Sequence, residues 1–170
     1  MSGARAAGSF AARAAGSFAA SALVLLPACI NTDAAVFVEP NVSSAALTVV
    51  GSALVTGVEG SFTVSLHLGP RAADDAEVLA VGFSIVTADA AQTLVPSLGV
   101  TASPEFPVTV PIDSDVAVLV SVAVADNQLE ANARDALCAG DVRVRAVLQD
   151  SLRGSIVSAD SEPFAPGGCP

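Results

Sequence analysis

Residues 116–124 read Val-Ala-Val-Leu-Val-Ser-Val-Ala-Val, with a valine at every even position. A strand turns successive side chains to opposite faces, so this run puts one continuous β-branched face on one side. β-Branched residues are stiff at χ1 and pack well on a pleated surface. The run is too short to span a bilayer as a helix, which needs about 20 apolar residues. It reads as a strand, and the same period recurs on either side of it.

In Phe62–Leu68 the residues Phe62, Val64, Leu66 and Leu68 share a face, opposite Thr63, Ser65 and His67. In Val78–Val86 the expected inner face is Leu79, Val81, Phe83 and Ile85. In Asp141–Gln149 the residues Val142, Val144, Ala146 and Leu148 oppose Arg143, Arg145 and Gln149. Leu47–Val55 is a further strand, with Gly51 as an expected bulge. Phe106–Ile112 alternates too, but Pro107 and Pro111 remove ladder donors and place it at an edge. Arg153–Ala159 is a weaker last strand, and Gly-Pro, Glu-Gly and Asp-rich segments separate the runs. The helix formers of Asp126–Leu137 predict one short helix leading into Cys138.

About seven short strands with regular turn signals predict an all-β fold, an antiparallel β-sandwich over residues 42–170. In strand number and length it resembles an immunoglobulin-like or fibronectin-like sandwich. The core Trp, the tyrosine corner and an early-to-late cysteine bridge of the immunoglobulin pattern are missing. A small β-barrel is the alternative.

Residues 1–28 differ in character from all of this. Arg5 and Arg13 are their only charges, and an apolar run from Phe18 to Ala28 follows. A basic segment before a short apolar one is the pattern of an export signal. Residues 5–12, Arg-Ala-Ala-Gly-Ser-Phe-Ala-Ala, repeat at 13–20. The period is too short for a solenoid and reads as a local duplication.

The segment ends Leu26-Pro27-Ala28-Cys29. This resembles the lipobox of bacterial lipoproteins, with a leucine at −3, a small residue at −1 and a cysteine at +1. Pro27 departs from the small or β-branched residue usual at −2. The resemblance implies cleavage before Cys29, acylation of that cysteine, and attachment to a lipid bilayer. Ile30 at +2, in place of aspartate, implies the outer membrane. The alternative is a secreted soluble protein. Ile30–Asn41 is expected to be a tether.

The chain has three cysteines. If Cys29 carries lipid, as the resemblance implies, Cys138 and Cys169 remain as an even pair for a disulfide in an oxidising compartment. Two free thiols are the alternative. Zinc is disfavoured, since no CxxC or clustered histidine accompanies them.

The formal net charge is −10, and loss of Arg5 and Arg13 takes the mature part to −12. So acidic a surface repels phosphate backbones, and no nucleic-acid partner is expected. Lysine, tryptophan and tyrosine are absent, which excludes a P-loop lysine and a lysine Schiff base and argues against sugar-stacking platforms. His67 is the sole histidine and is expected as a solvated residue on a strand's polar face. No GxSxG elbow is present. Two acidic clusters are weak calcium candidates, Asp74, Asp75 and Glu77 in one and Asp113 and Asp115 in the other. Neither has EF-hand spacing, and short acidic loops are ordinarily solvated turns. Arg143, Arg145 and Arg153 are expected to pair with nearby carboxylates, or else to meet an acidic partner.

No cofactor is expected. The functional expectation is a non-catalytic envelope lipoprotein with an unknown envelope protein as partner. An accessory subunit of an envelope complex is one alternative, and a carboxylate-dependent hydrolase is another.

Overall fold

Alternating apolar residues make strands that each have one face to bury, and two such sheets satisfy one another. The computed structural model describes residues 33–52, 55–124, 127–129 and 133–169. The export signal expected over residues 1–28, and Cys29 itself, lie outside them. The strands are β1 (Glu39–Ser52), β2 (Val55–Leu68), β3 (Ala76–Thr87), β4 (Thr93–Val95) and β5 (Val100–Ser103). They continue as β6 (Val108–Val110), β7 (Ser114–Val122), β8 (Gln128–Leu129), β9 (Val142–Asp150) and β10 (Ile156–Asp160), and the helix among the described residues is α1 (Ala133–Leu137).

One sheet runs β1-β2-β7-β5 with β8 beside β2; the other runs β10-β9-β3-β4 with β6 beside β3. Each of these strand pairings is antiparallel. The fold is therefore an all-β sandwich of two separate sheets, and not a closed barrel. The sheets meet along the faces expected from periodicity. Phe62, Val64, Leu66 and Leu68 are buried on β2, and Val118, Val120 and Val122 on β7. Across from them lie Val142, Val144, Ala146 and Leu148 of β9. Phe62 of one sheet meets Phe83 of the other with ring centroids 5.4 Å apart, and Phe106 extends the stack at 6.3 Å from Phe83.

Several expectations are corrected. The ladder between β3 and β9 slips between Ala80 and Gly82, which changes the parity of β3. Val78 is buried before the slip and Phe83 and Ile85 after it, while Leu79 and Val81 stand exposed at 45% and 54%. The bulge of β1 falls between Ser43 and Ala46, not at Gly51, and Ser44 takes a φ of 52° there. Facing it is Gly60, with φ +145°, where an added Cβ would come within 2.0 Å of the Ala46 carbonyl oxygen. This bulge lets β1 run on from Glu39, earlier than the expected Leu47.

The tether expected over 30–41 is consequently shorter. Ala35 and Val38 are already buried, ahead of the first strand. Of the helix expected over 126–137, residues 126 and 130–132 lie outside the described residues; the described ones show helix at Ala133–Leu137, while Gln128–Leu129 form β8 instead. Asn127 is the reason: it is 3% exposed. Its amide nitrogen donates to the carbonyls of Gly99 (2.7 Å) and Ala123 (2.9 Å), and its Oδ1 accepts from the Gly99 N–H (2.8 Å). A buried amide fully used in this way holds the backbone out of a helix.

Candidate functional site

The strand β2 places His67 on the outer face of its sheet, opposite Glu39 of β1 and Asp115 of β7. Directly opposed residues share a face, with Cβ atoms about 5 Å apart. His67 is thus not a merely solvated residue. Its Nδ1 lies 2.9 Å from Asp115 Oδ1, and its Nε2 lies 2.8 Å from Asp33 Oδ2. The second carboxylate arrives on the segment before β1. The Ala35 N–H donates to Asp33 Oδ1 at 2.9 Å, which folds that segment into a short turn. Gly69 makes the approach possible, since a Cβ there would stand 2.6 Å from the Ala35 carbonyl oxygen.

The electrostatics follow. Hydrogen bonds from the ring to Asp33, and then to Asp115, hold the imidazole above its ordinary value, against a smaller opposing effect of burial. The Ala35 N–H, followed by the His67 ring, holds Asp33 below the usual carboxylate range. Two facing carboxylates favour the imidazolium over the neutral ring, since in that form both N–H groups donate. Both nitrogens are engaged, so neither faces a hydroxyl or thiol to activate, as a histidine base in a nucleophilic triad would.

The calcium candidates are spread among structural tasks. Asp74 Oδ1 accepts the Asp75 N–H at 2.8 Å, and Asp75 Oδ1 accepts the Ile112 N–H at 2.9 Å. Glu77 is a β3 residue whose backbone N–H donates to Ser151 Oγ at 2.9 Å. Asp113 occupies a left-handed turn position with φ 57°. Asp115 serves His67. Among the described residues no three His, Cys, Asp or Glu side chains are grouped to hold a metal ion.

Of the three arginines expected to pair with carboxylates, Arg145 does so across neighbouring strands. Arg145 of β9 makes a two-pronged pair with Asp160 of β10, at 2.7 and 2.8 Å. That contact holds the Asp160 carboxyl below its ordinary range, against partial burial. Arg143 instead donates to the carbonyls of Ala88 and Ser161, each at 2.7 Å. Arg153 lies over the Phe37 ring, 5.0 Å from its centroid, and 3.8 Å from Oδ2 of the buried Asp150.

Cys138 and Cys169 stand at disulfide distance, with Cα atoms 5.4 Å apart. The pair closes the chain that runs from α1 to the tail. Beyond β10 the chain follows β9, where Phe164 and Val142 exchange two backbone hydrogen bonds of 2.9 Å. It then crosses to the outer edge of β1. There the Val49 N–H donates to the Gly167 carbonyl and the Gly167 N–H donates to the Leu47 carbonyl, both at 2.8 Å. Arg134 of α1 reaches the carbonyls of Gly51 (2.8 Å) and Gly168 (3.0 Å). The tail therefore covers part of a strand edge that would otherwise present unpaired backbone groups.

A recess of about 510 Å³ lies beside β4, with Thr87, Asp89, Gln92 and Asp141 among its lining residues. Asp89 is held there by the Thr87 hydroxyl and the Ala91 N–H.

No family model, no curated protein and no solved structure matches this chain.

The sequence pointed to the cysteine pair and to the strand position of His67. It missed Asp33 as a partner of His67. The two lie 34 residues apart, and only the register of β1 on β2 and the backward fold of the leading segment bring them together.

Proposed function

We propose that this protein is a non-catalytic lipoprotein of the bacterial envelope, held by lipid on Cys29, with the β-sandwich as its binding or structural module. The observation that carries the reading is the division of labour among the cysteines. Cys138 and Cys169 pair with one another, which leaves Cys29 as the thiol outside the disulfide, directly after Leu26-Pro27-Ala28. The position of the fold agrees with this. Asp33, four residues after Cys29, is already bonded to His67 of the sandwich, so every described residue lies on the retained side of a cut before Cys29. Ile30 at the following position favours the outer membrane. Partnership with nucleic acid is disfavoured by the charge of −12 on the mature part.

The test is fractionation of cells expressing the wild type and Cys29→Ser. The wild type should sediment with membranes and partition into detergent, and Cys29→Ser should not. Equal distribution of both would overturn the anchoring.

A second reading, an accessory subunit of an envelope complex, is favoured by one surface. Leu79 of β3 and Ile156 of β10 both oppose Gln149 of β9, so the three form a row across the outer face. Leu79, Val81 and Ile156 are exposed at 45%, 54% and 60%. Exposed apolar side chains flanking one position of a sheet's outer face are what a docking partner covers. Crosslinking in intact membranes tests it. A single defined neighbour lost in a Leu79→Asp/Ile156→Asp variant would support the subunit reading, and an unchanged crosslinking pattern would refute it.

A further inference from the structure

The leading segment Asp33–Phe37 behaves as a strap laid across one end of the sandwich. Contacts at three of its residues hold it among the described residues. Asp33 meets His67, and the Ala35 N–H closes back on Asp33. Ala35 is buried and packs over Gly69. Phe37 lies under the Arg153 guanidinium. Only the first of these changes with pH near neutrality.

We propose that Asp33, His67 and Asp115 form a proton-operated latch that fixes this strap when His67 is charged and loosens it when His67 is neutral. The geometry is what makes the ring a switch. Each nitrogen faces a carboxylate, so a charged ring donates twice. A neutral ring can donate only once and turns a lone pair toward the other carboxylate. The groups around the ring all bear on the same balance. Asp33 comes from the strap, Glu39 sits opposite on β1, and Asp115 sits opposite on β7. Arg71, in the turn after β2, acts on Asp33 and favours its ionised form. Three carboxylates against one nearby guanidinium favour the charged ring.

The direction of the pH response follows from linkage. The His67 contribution is complete below the ordinary imidazole value of 6.5 and is lost as pH rises through the elevated folded value. The Asp33 contribution is complete above the ordinary 3.8 and is lost as pH falls through its depressed value. The strap is therefore held most firmly in mildly acidic conditions and loosens as pH rises past 6.5 through the elevated folded value of His67. Resting on the proposed anchorage at Cys29, release of residues 33–37 would add them to the tether and let the sandwich stand farther from the bilayer. The latch itself does not depend on lipid, so the following test stands apart from the fractionation of Cys29→Ser.

The experiment uses the full chain, unmodified and as His67→Gln and Asp33→Asn. His67 is titrated by NMR while hydrogen exchange of the Ala35 amide is followed. In the wild type His67 should titrate above 6.5, and Ala35 protection should fall at least about tenfold across that titration, the factor expected for one charge-assisted hydrogen bond. In His67→Gln the protection should be low and flat with pH. In Asp33→Asn, which keeps the shape of the strap, the His67 titration should move back toward 6.5. A wild-type His67 titrating at or below 6.5, or Ala35 protection that ignores the His67 titration, would overturn the latch.

Discussion

Replacement of both Cys138 and Cys169 by alanine should destabilise the sandwich by about 3.5–4 kcal/mol. The figure comes from chain entropy: with a sequence separation of 31, opening the bond frees a loop of that length in the unfolded chain. The folded state should survive, because the tail has other holds. Gly167 exchanges two backbone bonds with β1, Phe164 exchanges two with Val142, and Arg134 grips Gly51 and Gly168. The loss thus falls mainly on the unfolded side. For Thr32–Pro170, about 140 residues, it corresponds to a fall in Tm of about 12 °C. Reversible denaturant unfolding of wild type, the double variant and Cys29→Ser measures it, with Cys29→Ser expected to match wild type. A loss under about 1 kcal/mol in the double variant would refute the reasoning.

Phe62 is fully buried against Phe83 at the junction of the sheets, so Phe62→Ala should cost about 3–5 kcal/mol in equilibrium unfolding. Gly60→Ala forces a left-handed φ and a clash with the Ala46 carbonyl, and should cost at least about 2 kcal/mol. Gly82→Ala meets nothing within 4 Å and should change the unfolding free energy from denaturant titration by less than about 0.5 kcal/mol. Asp160→Asn should lose about 1 kcal/mol at pH 7, since Arg145 keeps a weaker partner. Asp160 is depressed in the fold, so its contribution is present above 3.8 and lost as pH falls through the lowered value. The gap between variant and wild type should accordingly close in acid. Millimolar Ca²⁺ or chelator should leave the melting midpoint unchanged, since Asp75 and Asp115 already serve Ile112 and His67.

Much of the sandwich was legible because alternation is local. The inner faces of β2, β7 and β9 could be read from the residues alone, as could the edge position of the proline-flanked β6. Where the reading slipped, a distant partner decided. The parity of β3 changes at Gly82 because its ladder with β9 slips there. The helix is not yet formed at residues 127–129 because Asn127 is bonded to Gly99, 28 residues away. Strands β4 and β5 span only three and four residues, too few for a period to register. The His67 cluster was half legible. Its strand and face were visible, but both its partners depend on register.

The account turns on what Cys29 carries. Intact mass of the protein extracted from membranes, before and after reduction and alkylation, measures this directly. The expected chain begins at Cys29 and is heavier than its sequence by a thioether-linked diacylglycerol and an N-acyl chain. Two thiols should become alkylatable only after reduction. A chain that begins elsewhere, or whose Cys29 alkylates without reduction, would contradict it.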